Sequence, residues 1–235
     1  MSYSPKTWIK GNFKSIEKIT KLTWKFVIEL ENTFNYKAGQ FVNIKVNGVT
    51  RSYSIASYDS GKNTFELLIV KLEGGALTTM LFGSIKEGDE LEAKGPYGHF
   101  LLPEKIENDL FFICTGTGLA PFRSMLDLII QQNLSHQKIY LIFGTRTKDD
   151  LLCYDEINKM KKSVDGLNYV PVLSREEWDG ATGYVHKHYK QIIESNKLKD
   201  PIFYLCGWRD MIIESRNNLK DMGYDTKKII CEIYD

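Results

Sequence analysis

The sequence predicts two domains of different class, an N-terminal six-stranded antiparallel β-barrel followed by a C-terminal five-stranded parallel sheet flanked by helices. Three observations carry that expectation. Up to about residue 103 the chain is a succession of short apolar or alternating runs broken by turn residues, with no long helical stretch. From Asn108 onward, apolar strand, helix and apolar strand alternate. At 235 residues the chain is long enough for two modest domains that each bury a core.

The expected division is residues 1–103 and 104–235, joined by the Gly- and Pro-rich stretch 96–103. In the first part, residues 41–46 alternate, Asn47-Gly48 is a hairpin signal, and residues 51–57 form the returning strand. Residues 65–71 and 89–94 read as further strands, and so many short strands fit a small barrel. In the second part the strands are residues 110–114, 139–143, 167–173, 202–206 and 228–233. Pro171 requires either a bulge in the third of these or a place where its missing amide does no harm. Phe122, Met125, Leu126, Ile129 and Ile130 give one apolar helix face, and Pro121 suits that helix's first turn.

Lys plus Arg (31) nearly balance Asp plus Glu (30), so no global field draws the protein to nucleic acid or anionic membrane. No run approaches a membrane-spanning helix, and Met1-Ser2-Tyr3-Ser4-Pro5 lacks the layout of a signal peptide, so a cytoplasmic protein is expected. Cys114, Cys153, Cys206 and Cys231 are too widely spaced for cluster, zinc or dithiol motifs, which leaves redox chemistry to an organic cofactor or a separate protein.

Two segments stand out chemically. Arg51-Ser52-Tyr53-Ser54 offers a cation for a diphosphate, an aromatic plate and hydroxyls, with Arg51 and Tyr53 on one strand face and Ser52 and Ser54 on the other. Gly116-Thr117-Gly118 follows a strand and enters a helix, so its amides suit an anion; a tight turn without a ligand has the same spacing. The second strand ends Gly144-Thr145-Arg146 with no carboxylate for a ribose hydroxyl, which favours NADP over NAD. Ser174-Arg175 suits a phosphate monoester, as it also suits solvated surface. Gly74-Gly75-Ala76-Leu77-Thr78 reads as a turn entering a short helix. Cys206-Gly207 closes the fourth strand, with Asp210 and Met211 in the next helix; Cys206 suits either a nicotinamide contact or a small buried filler.

In this order the motifs resemble the ferredoxin–NADP reductase family of flavoproteins: Arg51 to Ser54, Gly75 to Thr78, Gly116 to Pro121, Ser174-Arg175, Cys206-Gly207 with Met211, and Glu232-Ile233-Tyr234. The resemblance implies an FAD-binding barrel over 1–103 and an NADP-binding α/β domain over 104–235. It places Arg51 on the FAD pyrophosphate with Ser52 beside it, Tyr53 on the isoalloxazine and Ser54 at the hydride-accepting nitrogen. Ile69, Val70, Lys71, Gly75, Ala76, Leu77, Thr78, Thr117 and Tyr234 complete the FAD site. NADP(H) is assigned to Gly116, Thr117, Arg146, Ser174, Arg175, Cys206, Gly207, Asp210 and Met211. Ser54, Cys206 and Glu232 are the catalytic residues, and no metal is implied. Asp235 follows the C-terminal aromatic where one branch of the family ends. Gly183-Tyr184 stands where some bacterial members carry a further arginine.

The implied function is hydride transfer between NADPH and FAD and single-electron transfer between FAD and a separate ferredoxin or flavodoxin, in a monomer. Two other readings are an NADH-dependent reductase component of an oxygenase or other acceptor system, and a non-catalytic nucleotide-binding electron-transfer subunit. FMN in place of FAD stays open.

Overall fold

The computed structural model describes residues 7–59 and 61–234; Met1 to Pro5 and Asp235 lie outside that range. The chain forms two compact units. One comprises the described residues up to Leu101 with Ala120–Leu128, and the other Leu102–Leu119 with the described residues from Ile129 onward.

The first unit contains β1 (Ile9–Lys18), β2 (Thr23–Leu30), β3 (Phe41–Val46), β4 (Val49–Ser54), β5 (Thr64–Val70), α1 (Ala76–Gly83) and β6 (Glu90–Tyr97). All strand pairs are antiparallel, in the order β4-β3-β6-β1-β2-β5. The β3–β4 hairpin has the two-residue loop expected of Asn47-Gly48, with φ of 47° and 81°, the mirror-image turn that matches strand twist. Val42, Ile44 and Val46 alternate inward on β3 and join Phe26, Ile28, Leu30, Phe65 and Leu67 in the core. Phe34 closes on Phe65 at 5.3 Å, each buried phenyl contributing roughly 2 kcal/mol, and the half-buried Phe82 of α1 packs on Trp24 at 4.6 Å.

The expected closed barrel is instead an open sheet. Its end strands β4 and β5 meet at a single bridge, Ile55–Leu67, continued by the Ala56 N–H to the Glu66 carbonyl at 2.8 Å. The ladder stops there because the next carbonyls are already taken: Arg123 donates to Ala56 at 2.6 Å and Ser124 to Ser57 at 2.6 Å. β4 ends at Ser54, short of the predicted 57, opposite Phe41 where its partner β3 begins. Pro96, expected in the join, lies inside β6.

The second unit contains β7 (Leu110–Thr115), a tight turn Gly116–Leu119, α2 (Ala120–Gln132, its first nine residues grouping with the first unit), β8 (Ile139–Thr145), α3 (Tyr154–Ser163), β9 (Leu167–Leu173), β10 (Ala181–Thr182), α4 (Val185–Asn196), β11 (Ile202–Trp208), α5 (Arg209–Asp221) and β12 (Ile229–Tyr234). The sheet is wholly parallel, ordered β10-β9-β8-β7-β11-β12. It has six strands where five are expected, because the two-residue β10 is too short to show periodicity.

Pro171 stays in unbroken register with Phe143. Two residues on, the Leu173 carbonyl accepts from Gly183 on the β10 side, so the amide that Pro171 lacks would face that side, where β10 begins only opposite Val172. A core of Phe111, Ile113, Tyr140, Ile142, Phe203 and Leu205 is covered by Tyr189 and Ile193 of α4 and Ile212 and Leu219 of α5. Strand order reverses between β7 and β11, and ligands of open α/β sheets bind at the carboxyl ends of such a pair. No helix among the described residues is long and apolar enough to cross a membrane.

Candidate functional site

In the first unit, antiparallel register sets the four residues of the β4 motif on alternate faces. Arg51 and Tyr53 stand opposite Ile44 and Val42, and Ser52 and Ser54 opposite Asn43 and Phe41. Ser52 donates to Asn43 Oδ1 at 2.7 Å, so its hydroxyl is engaged across the hairpin. Arg51 is exposed and Nη1 donates to its neighbour's carbonyl, Thr50, at 2.7 Å. Burial pushes the Tyr53 phenol up to about 12 despite the opposing Arg51 charge, so it stays a neutral aromatic plate. Ser54 is buried.

The turn into α1 offers backbone amides that an anion can use. Gly74 adopts φ +71° and Gly75 caps the helix in an extended conformation; no side chain caps the first turn and no acidic residue sits in it. Its first amides and the helix dipole are therefore available to a diphosphate, the chemistry FAD presents. Thr78 plays a different part from the one its hydroxyl invites. Its Oγ1 lies 3.1 Å from the Leu72 carbonyl and 3.2 Å from that of Gly75, folding the turn. Ala76 is exposed and Leu77 buried. At the end of β5, Ile69 is buried, Val70 half-buried and Lys71 exposed, with the Lys71 N–H committed to Leu22 at 2.7 Å.

In the second unit, two glycines bring the ends of β7 and β11 together. A Cβ on Gly118 would lie 2.4 Å from the Cys206 carbonyl oxygen, and one on Gly207 (φ +125°) 2.6 Å from that of Thr115. The Thr115 hydroxyl then accepts from the Trp208 N–H at 3.1 Å. Gly116 (φ +53°) and Thr117 lie at the mouth of this junction, exposed and half-buried. Cys206 pairs in register with Cys114 on one side and Glu232 on the other. Burial first, then the Glu232 charge, push the Cys206 thiol well above its ordinary range, against a hydrogen bond from Tyr234. Cys206 is fully buried and its thiol neutral, so it is not a thiolate nucleophile.

Asp210 is exposed and its carboxylate lies 3.4 Å from the Trp208 indole nitrogen. Met211 turns inward instead, into the core with Phe111 and Leu205. Ser174, Arg175, Glu176, Glu177, Thr182 and Lys187 are among the residues lining a cleft of about 400 Å³. Ser174 Oγ donates to the Thr145 carbonyl at 3.1 Å and the Arg175 amide to that of Arg146 at 2.9 Å, which fixes the loop after β9 against the end of β8. Arg146 contributes this carbonyl while its side chain is exposed.

Sequence reasoning missed Arg123, Ser124, Thr115 and Lys187. Only Lys187 had a signal: a lysine in a helix's first turn opposes the dipole and so marks a place where an anion would be welcome.

Residues 10–101 match the family model described as Oxidoreductase FAD-binding domain, and residues 112–217 the Oxidoreductase NAD-binding domain. The chain is 31% identical over 213 residues to Ferredoxin--NADP reductase B of Sorangium cellulosum, with 86% of each protein covered. The chain belongs to the ferredoxin–NADP reductase family. It is an oxidoreductase with FAD- and nicotinamide-dinucleotide-binding domains, of the class that moves electrons from NAD(P)H through FAD. It is also 33% identical over 187 residues to the Phenol hydroxylase P5 protein of Acinetobacter pittii, covering 77% of this chain and about half, 52%, of that protein. The Amycolatopsis cytochrome P450 reductase GcoB has the same fold at a TM-score of 0.91, with 25% identity, over 99% of this chain and 71% of that one.

Proposed function

We propose that the protein takes hydride from NADPH onto FAD and passes electrons singly to a separate ferredoxin or flavodoxin. The observation that carries this reading is the near full-length likeness to a protein named as a ferredoxin–NADP reductase, covered to 86% on both sides. The cleft holding Arg175 and Lys187 supports NADPH, since both cations suit a phosphate monoester.

FAD supplies the conversion between two-electron and one-electron steps when bound, and the protein's residues set position and solvent access. The uncapped first turn of α1 and the Arg51 guanidinium would hold the diphosphate. Tyr53, kept neutral, would pack against the ring, and the buried Ser54 hydroxyl would orient its accepting edge. Thr117 and Glu232 would contact the nicotinamide, with the exposed Gly116 leaving room for close backbone approach and the buried Cys206 filling the strand end beside them. Residues 1–103 serve the flavin and 104–235 the nicotinamide dinucleotide, in a cytoplasmic monomer.

A second reading is an NADH-dependent component serving an oxygenase. Relatives named as a phenol hydroxylase P5 protein and an anthranilate 1,2-dioxygenase electron transfer component favour it, as do Glu176 and Glu177 in the same cleft as Arg175. Anaerobic titration with NADPH and NADH, followed by ferredoxin or flavodoxin, separates the two. Flavin bleaching by NADPH at low concentration and rapid reoxidation by either carrier supports the first; bleaching by NADH alone, with neither carrier reoxidising the flavin, rejects it.

A further inference from the structure

We propose that Arg123 and Ser124 are positioning residues for the flavin edge of β4. The inference rests on the assignment of Ser54 and its strand to the flavin, and concerns what holds that strand end in place.

Beyond Ser54 the chain leaves the sheet, and the carbonyls of Ala56 and Ser57 and the amide of Tyr58 meet α2. Arg123, 5% exposed, donates from Nη1 to the Ala56 carbonyl at 2.6 Å while pairing with Glu66 of β5 at 2.7 Å. Ser124, fully buried, donates to the Ser57 carbonyl at 2.6 Å, and the Tyr58 N–H reaches Asp127 at 3.4 Å. On the other side, the Ala56 amide donates to the Glu66 carbonyl and the Ser57 hydroxyl accepts from the Glu66 N–H at 3.0 Å.

Residues 56–58 are therefore clamped from two directions, two residues beyond the hydroxyl that must sit at the reacting edge. A guanidinium is suited to this because its Nη1 donates to a carbonyl while its charge pairs with a carboxylate beside it. A buried cation is expensive unless so paired, and a purely apolar contact would hold the helix to the sheet as well. What the clamp adds is a fixed distance from α2 to the backbone that carries Ser54. Small displacements of reacting groups are costly in rate even when the substitution is remote.

The test compares Arg123→Met, Arg123→Lys and Ser124→Ala with the parent protein, each loaded with FAD. Two quantities are measured: the visible circular dichroism of the bound flavin, which reports its ring environment, and the rate constant for its reduction at saturating nicotinamide. The expected result is altered flavin bands with roughly 10-fold slower reduction in Arg123→Met, partial recovery in Arg123→Lys, and a smaller loss in Ser124→Ala. Parent bands and parent rates in these variants, with only a lowered melting temperature, overturn the proposal. If Arg123→Met does not fold, parent-like bands in both other variants overturn it equally. Ser54→Ala run in parallel separates the two ideas. A parent rate there rejects the role of Ser54, while the dichroism of the Arg123 and Ser124 variants still decides the clamp.

Discussion

The two glycine-marked turns of this protein look alike in sequence and work by different physics. Gly74, at the entrance to α1, has φ +71° and open space where a Cβ would stand. Gly118, in the turn after β7, has no such constraint on φ, but its Cβ would collide with the Cys206 backbone. The first glycine serves conformation, leaving a helix end open to an anion; the second serves close approach, allowing two strand ends to meet. A glycine count cannot tell these apart, yet they differ in what a methyl group does.

That difference gives the largest expected effect. Gly118→Ala should destabilise the second unit by about 3 kcal/mol, because the obstacle is backbone and cannot rotate away. Thermal unfolding followed by far-ultraviolet circular dichroism checks it, and a loss below roughly 1 kcal/mol would break the contrast. Next, Arg175→Ala should weaken NADPH about 10- to 100-fold while leaving NADH nearly unchanged, the cost of one charge-assisted contact. Equal weakening of both dinucleotides in equilibrium binding would show that the cleft does not distinguish the phosphate.

Gly74→Ala is the counterpart of Gly118→Ala, and about 1 kcal/mol is expected, the strain of a left-handed residue with nothing to strike. Apo-protein melting and FAD titration check it: a small fall in melting temperature with retained FAD binding fits, and a loss as large as that of Gly118→Ala does not.

The smallest effect lies away from both turns. His186 bridges α4 to α5, 3.1 Å from Glu214 and 3.2 Å from Ser215. Burial holds its imidazole below the ordinary 6.5, with Lys190 also lowering it and Glu214 opposing. The unfolded chain therefore takes up the proton first, so this contribution to stability is present above about pH 6.5 and declines as pH falls toward the folded value. His186→Gln should flatten that part of the stability–pH curve, and an unchanged slope in denaturant titrations would remove the residue from the account.

Much of the fold was legible because it rests on local patterns. Apolar runs gave the five longer parallel strands, Asn47-Gly48 gave the hairpin, and Phe122, Met125, Leu126 and Ile129 gave the buried face of α2. The two-residue β10 escaped because two residues have no period. The open edge between β4 and β5 escaped because it depends on Arg123, distant in sequence, claiming a carbonyl. Among the site residues, the pattern supplied identities but not commitments. Nothing local shows that the hydroxyls of Ser52, Thr78 and Ser174 bond their own framework, or that Met211 points into the core.

By itself the sequence determined the class of each half, the order of most elements and the family, since these follow from periodicity, turn chemistry and a series of motifs in register. Tertiary structure alone decided which glycine serves backbone conformation and which close approach, where the first sheet stops, and which cations share a cleft. Those are outcomes of pairing between residues far apart in the chain, where donors and acceptors are assigned by proximity in space and not by neighbours in sequence.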